Sequence, residues 1–324
     1  MHLVESMAYT GQTPWHALGH QLAQRQPIEV WAKQAGMNWS IEEAPVRFVS
    51  DAANESSETL TFLEQKVLYR SDTKSPLSVV SNRYQVVQPR EVLEFYRDLT
   101  EVGGFELETA GVLKGGRKLW ALARTGQSVV LKGKDVVNGY LLLATACDGT
   151  LATTAQFTSV RVVCNNTLHI ALADGTGAIK VPHRSVFDPQ SVKRQLGIAI
   201  SSWDTFMHQM KTLAERKVGH RQAQAYFETV LAVPGLGYGN RPSPNFQTAS
   251  RAHKTVQALF EGHGRGADMP SSAGTAWGLL NAVTEYADHE RRARNIDYRL
   301  DSAWFGPGAT LKQKALDEAL SLIA

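Results

Sequence analysis

The sequence predicts an α+β protein: an antiparallel β-meander and hairpin sheet in the N-terminal half, packed with long helices from the C-terminal half. Three observations carry this. Short β-branched runs bounded by turn residues fill most of the chain from Trp39 to Val163. Beyond Asp188 the apolar spacing becomes helical. Between LLLATA and LATTAQF, Asp148-Gly149 is the strongest hairpin signal, which puts the stretch from Cys147 to Leu172 at the centre of the sheet.

Three regions follow. Residues 1–26 have few periodic apolar positions and read as an N-terminal arm, with TPWH (Thr13 to His16) inside it. Residues 27–186 are the sheet-rich core. Pro27 to Gly36 forms a short helix, with Pro in its first turn and Gly at its end. APVRFVS, KVLYRS and PLSVVSNRYQVV are strands, and the polar stretch Asp51 to Thr59 is a hairpin loop. Pro89 to Glu101 is a helix stopped by Gly103-Gly104, with Val92, Leu93, Phe95, Tyr96 and Leu99 at helical spacing. The meander then turns at Lys114-Gly115-Gly116-Arg117, at Lys132-Gly133-Lys134 and at Asp148-Gly149. Asn165-Asn166-Thr167 caps a short helix through Leu172.

Residues 187–324 are the helical region. A long helix starts near Asp188-Pro189, with Val192, Leu196, Ile200, Trp203, Met207, Met210 and Leu213 on one face. Further helices cover Arg221 to Ala232, Gln247 to Phe260, Thr275 to Arg292 and Leu311 to Ile323. Val233 to Phe246 and Gly262 to Gly274 are Gly- and Pro-rich loops, the second a candidate flexible segment.

The chain has 324 residues, 43% apolar and 20% charged, the composition of a folded globular protein. No apolar run reaches the roughly 20 residues of a membrane span, and no secretory signal opens the chain. Two cysteines, Cys147 and Cys164, point to reduced, buried thiols in a cytoplasmic protein. A net charge of +3 permits a nucleic-acid partner without demanding one. No phosphate-binding loop, dinucleotide fingerprint, nucleophile elbow or paired-cysteine motif is present, so no cofactor and no catalytic residue is expected.

At TPWH, at FTSVRVVCNNTL, and above all at TAWGLLNAVTEYADH with DSAWFGPGATLKQKAL, the chain resembles the phage/plasmid-like proteins of domain of unknown function nine-three-two, from Thr13 to about Leu320. That resemblance implies carriage on phages and mobile elements. More distantly, the chain resembles the single-strand annealing recombinases such as Red-beta, RecT and Erf. Their shared core is a hairpin or small sheet crossed by a long helix; they assemble as rings or filaments and lay single-stranded DNA along a basic groove. The corresponding part is the strands from about Val129 to Val163 and a following helix. The likeness is one of element order, and no DNA-binding residue is carried over from it.

The candidate nucleic-acid-binding residues come from the chain's own chemistry. Lys114, Arg117 and Lys118 flank one Gly turn, and Lys132 and Lys134 another; glycine lets phosphate approach the backbone while the cations attract it. Solvated hairpin tips are the plainer reading of both. Arg161, among Val160, Val162 and Val163, either contacts phosphate or pairs with an acid such as Asp148. Asn165 and Asn166 are caps, or amides that bond bases and phosphates. Arg184 beside His183, together with Arg83-Tyr84 and Arg90, combines cations with ring systems; Tyr84 and Phe157 either stack bases or pack in the core. Metal binding is not expected. His16 has no second ligand at metal spacing, and Glu285 with His289 is a lone i,i+4 pair on what reads as a solvated helix face. The expectation is an ATP-independent protein that binds and anneals single-stranded DNA as a homo-oligomer. A non-catalytic protein–protein interaction factor is the alternative, and a metal-dependent nuclease the third.

Overall fold

The computed structural model describes residues 6–11, 19–50, 58–103, 105–161, 163, 166–169, 178–198, 201–232 and 244–324. The chain is α+β, as expected. Its strands are β1 (Ser6–Thr10), β2 (His20–Leu22), β3 (Ile41–Ser50), β4 (Glu58–Arg70), β5 (Pro76–Ser81), β6 (Glu106–Leu113), β7 (Lys118–Leu131), β8 (Asp135–Ala146), β9 (Thr153–Arg161), β10 (Asn166–His169) and β11 (Ile179–Val181). Its helices are α1 (Ile28–Gln34), α2 (Pro89–Gly103), α3 (Pro189–Ile198), α4 (Ser201–Glu215), α5 (His220–Leu231), α6 (Pro244–Ala258), α7 (Ala276–Glu285), α8 (Ile296–Phe305) and α9 (Pro307–Ser321). One sheet runs β10-β9-β8-β7-β6-β1-β2, with β11 also on β9, and a second runs β3-β4-β5. Two compact units interleave along the chain. The first takes Met1–Gly126, Leu141–Gln156 and Ala178–Ile198; the second takes Gln127–Tyr140, Phe157–Gly177 and Ala199–Ala324.

In the first unit, β1 corrects the expectation of an arm. It pairs in parallel with β2 and antiparallel with β6, and Met7, Ala8 and Tyr9 are all buried. A strand covered on both faces shows no polar alternation, so MAYT carries no strand signal. Gly36 ends α1 at φ 69°, and a Cβ there would lie 2.5 Å from the Cβ of Ser6, so only glycine lets the helix end pack on β1. Helix α2 buries Val92, Leu93, Phe95 and Tyr96. The Tyr96 hydroxyl lies 2.8 Å from the Ala121 carbonyl and 3.0 Å from that of Leu141, which tethers the helix to β7 and β8; burial raises its pKa well above the ordinary value. Cys147 is a free, buried thiol, pushed up to about 12 by burial; Cys164 lies outside the described residues.

The core of the second unit is α7. All ten of its residues are buried, so it is apolar all round rather than amphipathic. Thr275 caps it, its hydroxyl accepting from the Gly278 amide at 3.0 Å. Tyr226 of α5 donates to the Ala315 carbonyl of α9 at 2.7 Å. One further expectation is corrected. Asn166 to His169 is a strand, not a helix, with Asn166 opposite Arg161 and His169 opposite Thr158; β9 offers a free edge, and cross-strand bonds outweigh a local cap. Where one long helix from Asp188 was expected, Pro189–Ile198 and Ser201–Glu215 are helical, and residues 199–200 between them lie outside the described residues. Helix α8, unassigned in the sequence, is capped by the Asn295 side chain, which accepts from the Tyr298 amide at 3.0 Å.

Candidate functional site

The two basic turns sit at opposite ends of β7. At the first, Lys114, Gly115 and Gly116 have φ of 55°, 68° and 103°, forming a 3₁₀ turn. Arg117 is exposed there, Lys114 is half-buried, and Lys118 is only 5% exposed. Burial takes Lys118 off any surface a nucleic acid could reach. At the second turn Lys132, Gly133 and Lys134 are all exposed, and Lys132 and Gly133 have φ of 39° and 93°. Two successive positive φ values make the tight primed turn that suits the twist of a hairpin. That turn favours Asn-Gly; a lysine in its first position costs about 1 kcal/mol of backbone strain. All four described non-glycine residues with positive φ are cations: Arg25, Lys74, Lys114 and Lys132.

Arg161 is not a surface residue. It is 2% exposed and forms a two-pronged pair with Asp135, Nε to Oδ1 at 2.7 Å and Nη2 to Oδ2 at 2.8 Å. The acid is Asp135 rather than Asp148, whose carboxylate instead accepts from the amide and hydroxyl of Thr150. Arg161 also donates to the hydroxyl of Ser272 at 2.8 Å and to the Gly266 carbonyl at 3.2 Å. Asp135 accepts further bonds from the Ser271 hydroxyl (2.6 Å) and the Trp277 indole (3.0 Å). The guanidinium lies 5.8 Å from the centre of the Trp277 ring. The loop after Gly262, a candidate flexible segment in the sequence, is thus tied to a buried ion pair. Beside it, Glu285 accepts from the Arg265 amide at 3.0 Å, and burial raises its carboxyl above the ordinary value. The cavity lined by Arg161, Arg265, Ser272, Asn281 and Glu285 holds about 10 Å³, one water-sized group, far below a small-molecule site.

A second polar cluster went unread in the sequence. Lys312 of α9, 2% exposed, donates to Asp288 at 2.6 Å and to the Thr167 hydroxyl at 2.6 Å, while the Thr167 amide donates to Asp288 at 2.9 Å. Burial lowers the Lys312 pKa, against the pull of Asp288. His169 is pushed down to about 3, by burial first and by the Lys312 ammonium second. Glu285, expected on a solvated helix face, is buried as the last residue of the all-buried α7, and Asp288 just beyond it is buried too. The signal in the sequence was the stretch from Ala276 to Val283, broken only by Asn281 and too apolar for a surface helix.

The remaining candidates divide. Phe157 is core, 6% exposed. Tyr84 stacks on His183 with ring centres 4.4 Å apart, so its face is already covered; its hydroxyl donates to the Ala146 carbonyl and its pKa is raised, chiefly by burial. His183 has its Nε2 2.9 Å from the Leu151 carbonyl. Arg184 and Arg83 are exposed, and Arg90 pairs with Glu94 and Glu29. Asn166 contributes its backbone to β10; Asn165 and the TPWH motif with Trp15 and His16 lie outside the described residues. Among the described residues no three His, Cys, Asp or Glu side chains gather as metal ligands would, and no helix is long and apolar enough to cross a membrane.

With this architecture, residues 76–304, more than two thirds of the chain, match the family model described as Domain of unknown function (DUF932), and the chain belongs to that family. The match opens at the start of β5 and closes within α8. No curated protein and no solved structure matches it.

Proposed function

We propose that this protein binds single-stranded DNA without sequence preference and anneals complementary strands as an oligomer in the cytoplasm, without nucleotide hydrolysis, in phage or plasmid recombination. The observation that carries the reading is the β7–β8 tip. Lys132 is held there at φ 39° with Lys134 beside it, both in solvent, where Asn or Gly would sit without strain. Strain retained at an exposed position points toward function, and a cation beside Gly133 suits a phosphate backbone approaching closely. The order of sheet followed by helices, likened above to the annealing recombinases, supports it further.

Fluorescence anisotropy of labelled single-stranded and duplex DNA across a salt series tests it. The expected result is tighter binding of the single strand, with an affinity that falls linearly in log–log form with salt. Replacing Lys132 and Lys134 by Glu should make that slope shallower by roughly one to two. Absence of binding, absence of a salt slope, or an unchanged double variant sinks the idea. The interaction-factor reading is favoured by a different observation, an apolar sheet face in the first unit.

A further inference from the structure

The β3-β4-β5 sheet of the first unit is amphipathic the wrong way round for its outer half. Its register places Ile41 opposite Arg70, Glu43 opposite Leu68, and Lys66 opposite Val80, so these share one face. Near the base of the sheet that face is buried, through Ile41, Leu68, Arg70 and Val80. The other face takes Ala44, Val46 and Phe48 of β3, Leu60, Phe62, Val67 and Tyr69 of β4, and Val79 of β5. There Phe48 is 47% exposed, Phe62 41% and Val79 54%. Toward the tip, beyond the bulge at Pro45/Val46, the opposite face carries Arg47, Val49, Thr59 and Thr61, all exposed. Apart from Val49, the large apolar side chains paired there, Phe48, Leu60 and Phe62, thus face the other way, into solvent. Strand β5 pairs only with Gln65 to Tyr69, which leaves the outer half of β3 and β4 a two-stranded ribbon. Such a ribbon is at best marginally stable in water by itself, and a contiguous apolar face of this kind marks an interaction surface.

We propose that this outer face docks a second copy of the chain, sheet on sheet about a twofold axis. The charges favour that occupant. At the register-paired positions of the face, the only charged residues are Glu42 at the base and Glu58 at the tip. Glu42 is bound at 3.0 Å by Lys74, whose side chain is 65% exposed. Antiparallel stacking of two such faces lays the tip of each over the base of the other, so Glu58 of one copy meets Lys74 of the next while the apolar middles cover each other. A twofold contact needs a surface complementary to itself, and this one is. Nucleic acid and anionic lipid meet no cation in the middle of the face and an acid at its tip. The contact does not depend on DNA binding.

Light scattering and sedimentation of the full chain, freed of nucleic acid, test it. The expected result is a concentration-dependent dimer or a larger assembly. Changing Phe48 and Phe62 together to Lys should weaken self-association by roughly 100-fold while circular dichroism stays unchanged. A charge exchange is the sharper test. Glu58→Lys and Lys74→Glu should each weaken self-association, and an equimolar mixture of the two variants should regain it, since both mixed contacts again pair opposite charges. A chain that stays monomeric throughout, association indifferent to the Phe48 and Phe62 changes, or a mixture no better than its parts overturns the proposal. So does vesicle binding lost in the Phe variant without any self-association.

Discussion

Arg161 and Lys312 lie inside the second unit, each 2% exposed, whereas Lys132 and Lys134 of the same unit stand in solvent at the β7–β8 tip. Each interior cation has a carboxylate within hydrogen-bonding distance, Asp135 at 2.7 Å and Asp288 at 2.6 Å. The two tip lysines are exposed, and at Lys132 the backbone is strained. The contrast separates two uses of positive charge. Inside, a cation is committed to one geometry, because leaving either partner alone in a low dielectric is expensive. At the tip it stands in solvent, where the proposed function gives it a phosphate backbone to meet.

The largest effect expected from this contrast lies at Asp135. Asp135→Ala leaves the Arg161 guanidinium buried without its carboxylate and takes an acceptor from Ser271 and Trp277. Its cost should be about 3–5 kcal/mol, read as a drop in the urea or thermal midpoint of the second unit. Replacing both partners, Asp135→Leu with Arg161→Met, should recover much of that loss, since an apolar pair carries no uncompensated charge. If the single change costs under about 1 kcal/mol, the ion pair is not what holds the loop after Gly262 to the sheet.

A smaller effect should appear with pH. The folded pKa of His169, about 3, lies below its ordinary value of 6.5. The unfolded chain therefore binds more protons between those values, and stability present above about pH 6.5 is lost as pH falls toward 3. Glu285 runs the opposite way: its raised pKa makes the folded chain the better proton acceptor just above 4.5. Urea midpoints measured from about pH 7 to about pH 5.5 should fall in the native protein. His169→Gln should flatten that fall. An equal slope in both proteins would remove His169 as its source.

Local punctuation made much of the fold legible. Pro27 with Gly36, Pro89, and the Gly turns of the meander mark real boundaries, since each rests on backbone preferences acting within a few residues. Elements defined by tertiary cover were not legible. Strand β1 is buried on both sides, and β10 forms only against the edge of β9, with Asn166 opposite Arg161 and His169 opposite Thr158. Most crossings between the compact units are equally silent in sequence, because three of the five fall inside β7, β8 and β9 and leave no linker composition. At the site, Lys132 and Lys134 could be read as exposed turn cations. The pairing of Arg161 could not: Asp135 lies in another strand, and Ser271, Ser272 and Trp277 are brought to it only by the packing of α7.

The smallest effect tests the strained tip itself. Lys132→Asn keeps the turn but replaces a residue that resists φ 39° with one that tolerates it. It should stabilise the fold by up to about 1 kcal/mol, seen as a slightly raised thermal midpoint, and at the same time weaken binding of single-stranded DNA. Those opposite signs are the point of the measurement. A tip tuned only for folding would gain stability and lose nothing, and the exposed lysine would then be an ordinary surface residue. A tip tuned for a polyanion should trade one for the other, and Lys134→Gln, which adds no turn preference, should show the loss of binding without the gain in stability.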